Sequence, residues 1–97
     1  MTEEQDKLLT ELVQKNGFNY NLHKAAEELQ ELALVLTQKL TKPDKVDDQE
    51  IIDEIGDVEI RLNMLKKIYN PEQINNRITY KLGKYKEWND SERYKNI

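Results

Sequence analysis

The chain has no cysteine, and that one absence removes disulfides, thiolate metal sites and cysteine nucleophiles together. Histidine is scarce as well, His23 being the single one. A ferritin-like di-iron centre requires Glu-x-x-His pairs, and none can be written here. Zinc, which favours cysteine and histidine, is poorly served for the same reason. No apolar run approaches the length that crosses a bilayer, so no membrane partner is expected. The start Met1-Thr2-Glu3-Glu4-Gln5 lacks the basic segment and apolar run of a signal peptide, and the cytoplasm is the expected compartment. There is no positive excess either. A net charge of −4 argues against a nucleic-acid surface, which needs a concentrated positive field. A nucleotide can still bind through a metal.

What is present fits one small domain spanning residues 1–97, with a core from about 21 to 88 and a polar tail, 89–97, expected to fray. Hydrophobic residues make up 37% and charged residues 35%, enough to fold but lean in core. A chain this short buries a small fraction of its surface, so association into a dimer or a dimer of dimers is expected to supply the rest.

The patterning is helical throughout, and the expected fold is an all-α bundle of four helices, three of them long. Thr2 caps a first helix, with Leu8, Leu9, Leu12 and Val13 as a narrow stripe that packs on the outside; Asn16-Gly17 stops it. Phe18 to Tyr20 reads as a short aromatic connection, and Asn19 or Asn21 as the cap of a long second helix. On that helix Leu22, Ala25, Ala26, Leu29, Leu32, Ala33, Leu36 and Leu40 recur at the three-four spacing of one face. Pro43 breaks it, because a proline disfavours helical geometry at the residue before it. The link is short, so the flanking helices should be antiparallel neighbours. Asp47 or Asp48 caps a third helix carrying Ile51, Ile55, Val58, Leu62, Leu65 and Tyr69. Asn70-Pro71-Glu72-Gln73 opens a fourth with a cap, a first-turn proline and a Gln placed for a capping box. Its apolar positions are Ile74, Ile78, Leu82 and Tyr85, and it runs towards Trp88.

Two acidic clusters sit inside these apolar patterns: Glu27-Glu28-Leu29-Gln30-Glu31 and, 22 residues later, Glu54-Ile55-Gly56-Asp57. At about 100° per residue Glu28 falls between Leu32 and Val35, while Glu54 and Asp57 fall on the flank continued by Met64, Leu65 and Ile68. Carboxylates at the border of a core are costly unless neutralised, paired with a base or bound to a cation. Residues three apart share a helix face, so Glu28 with Glu31 and Glu54 with Asp57 each form a two-pronged claw. An antiparallel hairpin closing near Pro43 sets the claws at matching heights. Four oxygen ligands suit a hard divalent ion, Mg²⁺ above all, which keeps several waters and links carboxylates to substrate phosphates. Glu50-Ile51-Ile52-Asp53 is a rival claw one turn earlier. Gly56 favours the later one, since a glycine lets a partner backbone or a substrate approach.

E-E-x-x-E followed after a short interval by E-x-x-D on consecutive helices resembles the MazG-like, all-α nucleoside triphosphate pyrophosphohydrolase family, over residues from about 21 to 87. The resemblance implies Mg²⁺-dependent hydrolysis of a nucleoside triphosphate to the monophosphate and pyrophosphate (Mn²⁺ being an alternative ion), with one or two ions on Glu28, Glu31, Glu54 and Asp57. Glu27 or Glu31 would orient or deprotonate the attacking water, although Glu27 points further from the apolar stripe and can instead pair with Lys24. Arg61 is read either as a phosphate contact or as a counter-charge to Asp57. The fourth helix offers Arg77, Lys81 and Lys84 as further phosphate ligands. Lys81-Leu82 is similar to a Lys-aromatic step of the family, but Thr79 stands where the family carries Asn. Tyr80, Tyr85 and Trp88 are read as core or oligomer contacts, Phe18 and Tyr20 as packing residues with a nucleobase as the alternative partner, and His23 as a surface or base-stacking residue. Two other classes compete: a catalytically silent nucleotide-binding module, and a plain helical interaction protein whose acids decorate its surface.

Overall fold

The computed structural model of the chain describes residues 1–91, which are helical almost throughout and contain no strand. Four helices follow one another, α1 (Glu3–Asn16), α2 (Phe18–Thr41), α3 (Asp48–Ile68) and α4 (Pro71–Asp90), with a single 3₁₀ turn, Pro43–Lys45, between α2 and α3. Of the tail expected to fray, Asn89 and Asp90 are the last residues of α4, and 92–97 lie outside the described residues.

The helix boundaries follow from local chemistry. The Thr2 hydroxyl accepts from the Gln5 backbone N–H and the Gln5 side chain accepts from that of Thr2, a reciprocal capping box. Gly17 ends α1 with φ 84° and ψ 174°, a conformation open in practice to glycine alone. The expected Phe18–Tyr20 connection does not form: Gly17 takes the whole change of direction and α2 begins at Phe18. Asn21 therefore caps nothing. It is buried inside α2, where its Nδ2 donates to the carbonyls of Gly17 (2.6 Å) and Val13 (3.3 Å) and locks the α1–α2 corner. Asp47 caps α3, its carboxylate accepting from the Gln49 N–H. Asn70 caps α4 by accepting from the N–H groups of Glu72 and Gln73.

Helices α2 and α3 pack along their length as an antiparallel pair. At the closed end Lys39 joins them, 3.1 Å from the Asp48 carboxylate and donating to the carbonyl of buried Val46. Helix α1 lies against both, with Leu9 buried and a Lys67–Asp6 ion pair at 2.6 Å. Among the described residues the buried apolar side chains are Leu9, Ala25, Val46, Val58 and Met64.

Two expectations about packing need correction. First, one chain does not close a four-helix bundle. Among the described residues helix α4 touches only α3 and buries no residue, and the Cα radius of gyration is 17.0 Å where about 12.5 Å is usual for a compact chain of this length. Second, the apolar arc of α2 is wider than one neighbour covers. The row facing α3 is Asn21, Ala25, Glu28, Leu32, Val35 and Lys39, all buried or half-buried, whereas Ala26, Leu29, Ala33, Leu36 and Leu40 are exposed. Ile55, Leu62 and Tyr69 of α3 and Ile78, Leu82 and Tyr85 of α4 are exposed in the same way.

Candidate metal centre

The antiparallel pairing of α2 and α3 brings Glu28, Glu54 and Asp57 together, with one carboxylate oxygen from each lying within 4.8 Å of the other two. Glu28 and Glu54 are half-buried and Asp57 is exposed, so the group opens to solvent on one side. Glu28 Oε2 and Glu54 Oε2 are both shielded from solvent and neither accepts a hydrogen bond from a protein donor. Shielded carboxylate oxygens without a donor need either a proton or a cation.

The electrostatics record that need. Burial raises the Glu28 carboxyl above the ordinary carboxylate value, Glu31 and Asp57 raise it further, and hydrogen bonding to Glu54 and the Arg61 guanidinium pull it back. Burial also raises Glu54, followed by the charges of Glu31, Glu28 and Asp57 and by its hydrogen bond to Glu28. Both carboxyls of the pair are thus shifted towards the protonated form, burial being the first cause in each.

The remaining site residues divide. Glu31 is exposed and lies outside the three-carboxylate group, yet its charge acts on both Glu28 and Glu54, which places it at the rim. Glu27 turns away and pairs with Lys24 at 3.2 Å, the outcome its position on the wheel allowed. Arg61 is half-buried, one N–H pointing to Met64 Sδ at 3.5 Å, and its charge reaches Glu28; no ion pair joins it to Asp57. In the rival claw, Glu50 and Asp53 are exposed and Asp53 accepts from Gln49 Nε2 at 2.8 Å, apart from the cluster. Gly56 is open on its outer side: a Cβ there would meet nothing within 4 Å, so no backbone of the same chain needs the space.

The cations of helix four lie beside aromatic rings of their own helix. Arg77 lies over the Tyr80 ring, Lys81 over Tyr85, and Lys84 over Tyr80 and near Glu87. Among the described residues α4 meets only α3. The aromatics expected to pack are largely exposed, Phe18 meeting Tyr69 edge-on at 6.4 Å. Sequence reasoning missed that the inner oxygens of Glu28 and Glu54 are both shielded without a donor, although Glu28's place between two core positions was its signal.

No helix among the described residues is long and apolar enough to cross a membrane. Compared with models of known families, with curated proteins and with solved structures, the chain matches none.

Proposed function

We propose that the chain is a Mg²⁺-dependent nucleoside triphosphate pyrophosphohydrolase of the MazG-like kind, acting in nucleotide metabolism as a homo-oligomer. One observation carries this reading: two helices present half-buried carboxyl groups whose inner oxygens have no donor, with a third carboxylate alongside and an open side facing solvent. That donor set, all oxygen and without histidine or cysteine, fits a hard divalent ion bound together with a phosphate chain. A divalent ion held there supplies a Lewis acid for the phosphoanhydride and a bound water of lowered pKa.

The protein's own part is positional. Glu28, Glu54 and Asp57 hold charge on the floor of the site, fixed by the packing of α2 on α3. Glu31 at the rim is the free carboxylate placed to orient the attacking water and take its proton; Glu27 is tied to Lys24 and is the weaker candidate for that role. Arg61 is the cation close enough to the cluster to balance a phosphate.

The test is a screen for pyrophosphate release from common and modified nucleoside triphosphates, with Mg²⁺, with Mn²⁺ and with excess chelator. The expected result is release of pyrophosphate and the nucleoside monophosphate with metal, and none with chelator. Nucleotide binding without pyrophosphate makes the chain a silent nucleotide-binding module. The large exposed apolar surface is what favours the other reading, a helical interaction protein, which predicts neither Mg²⁺ nor nucleotide binding.

A further inference from the structure

The net charge of −4 is unevenly spread. Residues 73–86 carry Arg77, Lys81, Lys84 and Lys86 and no acid, which leaves −8 on the rest of the chain. At about 100° per residue Arg77, Lys81 and Lys84 share one face of α4, with Tyr80 on one border, Tyr85 on the other and Trp88 in line, all within an arc of about 140°. The acids of α4, Glu72, Glu87 and Asp90, fall outside it. Arg77 and Lys84 lie 5.1 and 5.6 Å from the centre of the Tyr80 ring, Lys81 lies 5.7 Å from that of Tyr85, and Tyr85 meets Trp88 at 5.6 Å. All three rings are about half exposed. Lys84 is 3.7 Å from Glu87, but Arg77 and Lys81 form no ion pair among the described residues. Towards its start the same face walls an open groove of about 630 Å³ against α3, where Arg77 and Lys66 stand beside Leu62, Leu65, Tyr69 and Ile74.

We infer that this face of α4 binds single-stranded nucleic acid, with phosphates on Arg77, Lys81 and Lys84 and bases against the rings. Charge selects an anion: two cations gathered over the Tyr80 ring repel each other, and a phosphate between them relieves that cost. The rings select the kind. Exposed aromatics set among cations suit a strand whose bases are unstacked, whereas a duplex hides its base faces and a lone phosphate has none. Lipid fits less well. Tyr80 and Leu82 lie about 160° apart on α4, so aromatic and aliphatic residues do not gather on the one apolar side that a helix lying on a membrane needs. The low overall charge is no obstacle, because the field that a strand meets is the local one on α4. The inference is independent of what the carboxylates of α2 and α3 bind.

Fluorescence anisotropy of labelled oligothymidine and oligouridine with the full chain, in excess chelator so that the carboxylates hold no metal, tests it. Binding is expected, and the tighter of the two strands tells DNA from RNA. Three phosphate contacts on a single strand give a log–log salt slope of about −2, so affinity should fall about 20-fold between about 50 and 200 mM salt. Tyr80→Ala is expected to weaken binding about 5-fold or more through lost stacking, and Lys81→Gln to weaken it and flatten the slope by about 0.7. Lys86→Gln removes the same charge from the far side of α4 and should leave affinity nearly unchanged. Because α4 buries no residue, all three variants should keep their helical circular dichroism. No binding at the lower salt overturns the inference. So do an unchanged affinity in Tyr80→Ala, equal losses in Lys81→Gln and Lys86→Gln, or equal affinity for a blunt duplex. Displacement by a free nucleoside triphosphate as readily as by unlabelled strand would make the face a mononucleotide site, and sedimentation with phosphatidylserine-containing vesicles in place of strand binding would make it a lipid site; each overturns it too.

Discussion

Glu54→Gln, Asp57→Asn and Glu28→Gln are each expected to lower pyrophosphohydrolase turnover by about 100-fold or more while the metal-free protein unfolds at the same or a higher denaturant concentration. The first effect follows from removing a ligand charge at the point where negative charge accumulates on the reacting phosphates. The second follows from repulsion. Glu28 and Glu54 are both raised by burial and by neighbouring carboxylates, so an uncharged amide relieves a cost that the apo fold bears. Ordinary surface acids behave otherwise, with unchanged rate and slightly lower stability on neutralisation. Glu50→Gln is the control for register and should leave turnover within several-fold, because Glu50 lies away from the cluster. Glu31→Gln divides the roles open to a rim carboxylate: as a base its loss lowers the rate at unchanged Mg²⁺ affinity, and as a ligand it weakens Mg²⁺ as well. Urea titration and initial rates on one preparation read both halves. Full activity in Glu54→Gln together with an inactive Glu50→Gln would put the site one turn earlier on α3.

A second large effect concerns Mg²⁺ and pH together. Both raised carboxyls start from an ordinary value of 4.5, so above that pH the native state keeps protons that the unfolded chain has lost. Stability contributed by the pair is therefore complete below the ordinary value and declines as pH rises through the raised ones. Mg²⁺ takes only the deprotonated site, so its stabilisation should grow across the same window. At tenfold excess over its dissociation constant an ion confined to the native state adds about 1.4 kcal/mol, a rise on the order of 5–10 °C in melting temperature for a domain of this size. Scanning calorimetry is expected to show that rise at pH 8 and little of it at pH 5. A gain that is equal at both values, or larger in acid, would mean that Mg²⁺ binds elsewhere.

Much of this was legible in the residues. The four helices, the caps at Thr2, Asp47 and Asn70, and the convergence of Glu28 with Glu54 and Asp57 all rest on local chemistry and on a short loop that forces antiparallel pairing. What escaped was non-local. Nothing in Asn19 or Asn21 announces that Gly17 alone would turn the corner and draw Asn21 inward. Periodicity placed Ala25, Leu29 and Leu36 on one apolar face, but it does not say how many neighbours that face meets, and α3 covers only part of the arc. In the same way, the apolar positions of α4 do not say that it packs on α3 alone among the described residues.

The raised carboxyls of Glu28 and Glu54 also make ion uptake a release of hydrogen ions. A cation that draws both inner oxygens competes with protons for these two carboxyls, and the buffer absorbs those it displaces. The heat measured on adding Mg²⁺ should then depend on the ionisation enthalpy of the buffer, and the slope of one against the other counts the protons expelled. In unbuffered solution near neutrality the same event would appear on a pH electrode as acidification in step with saturation of the site.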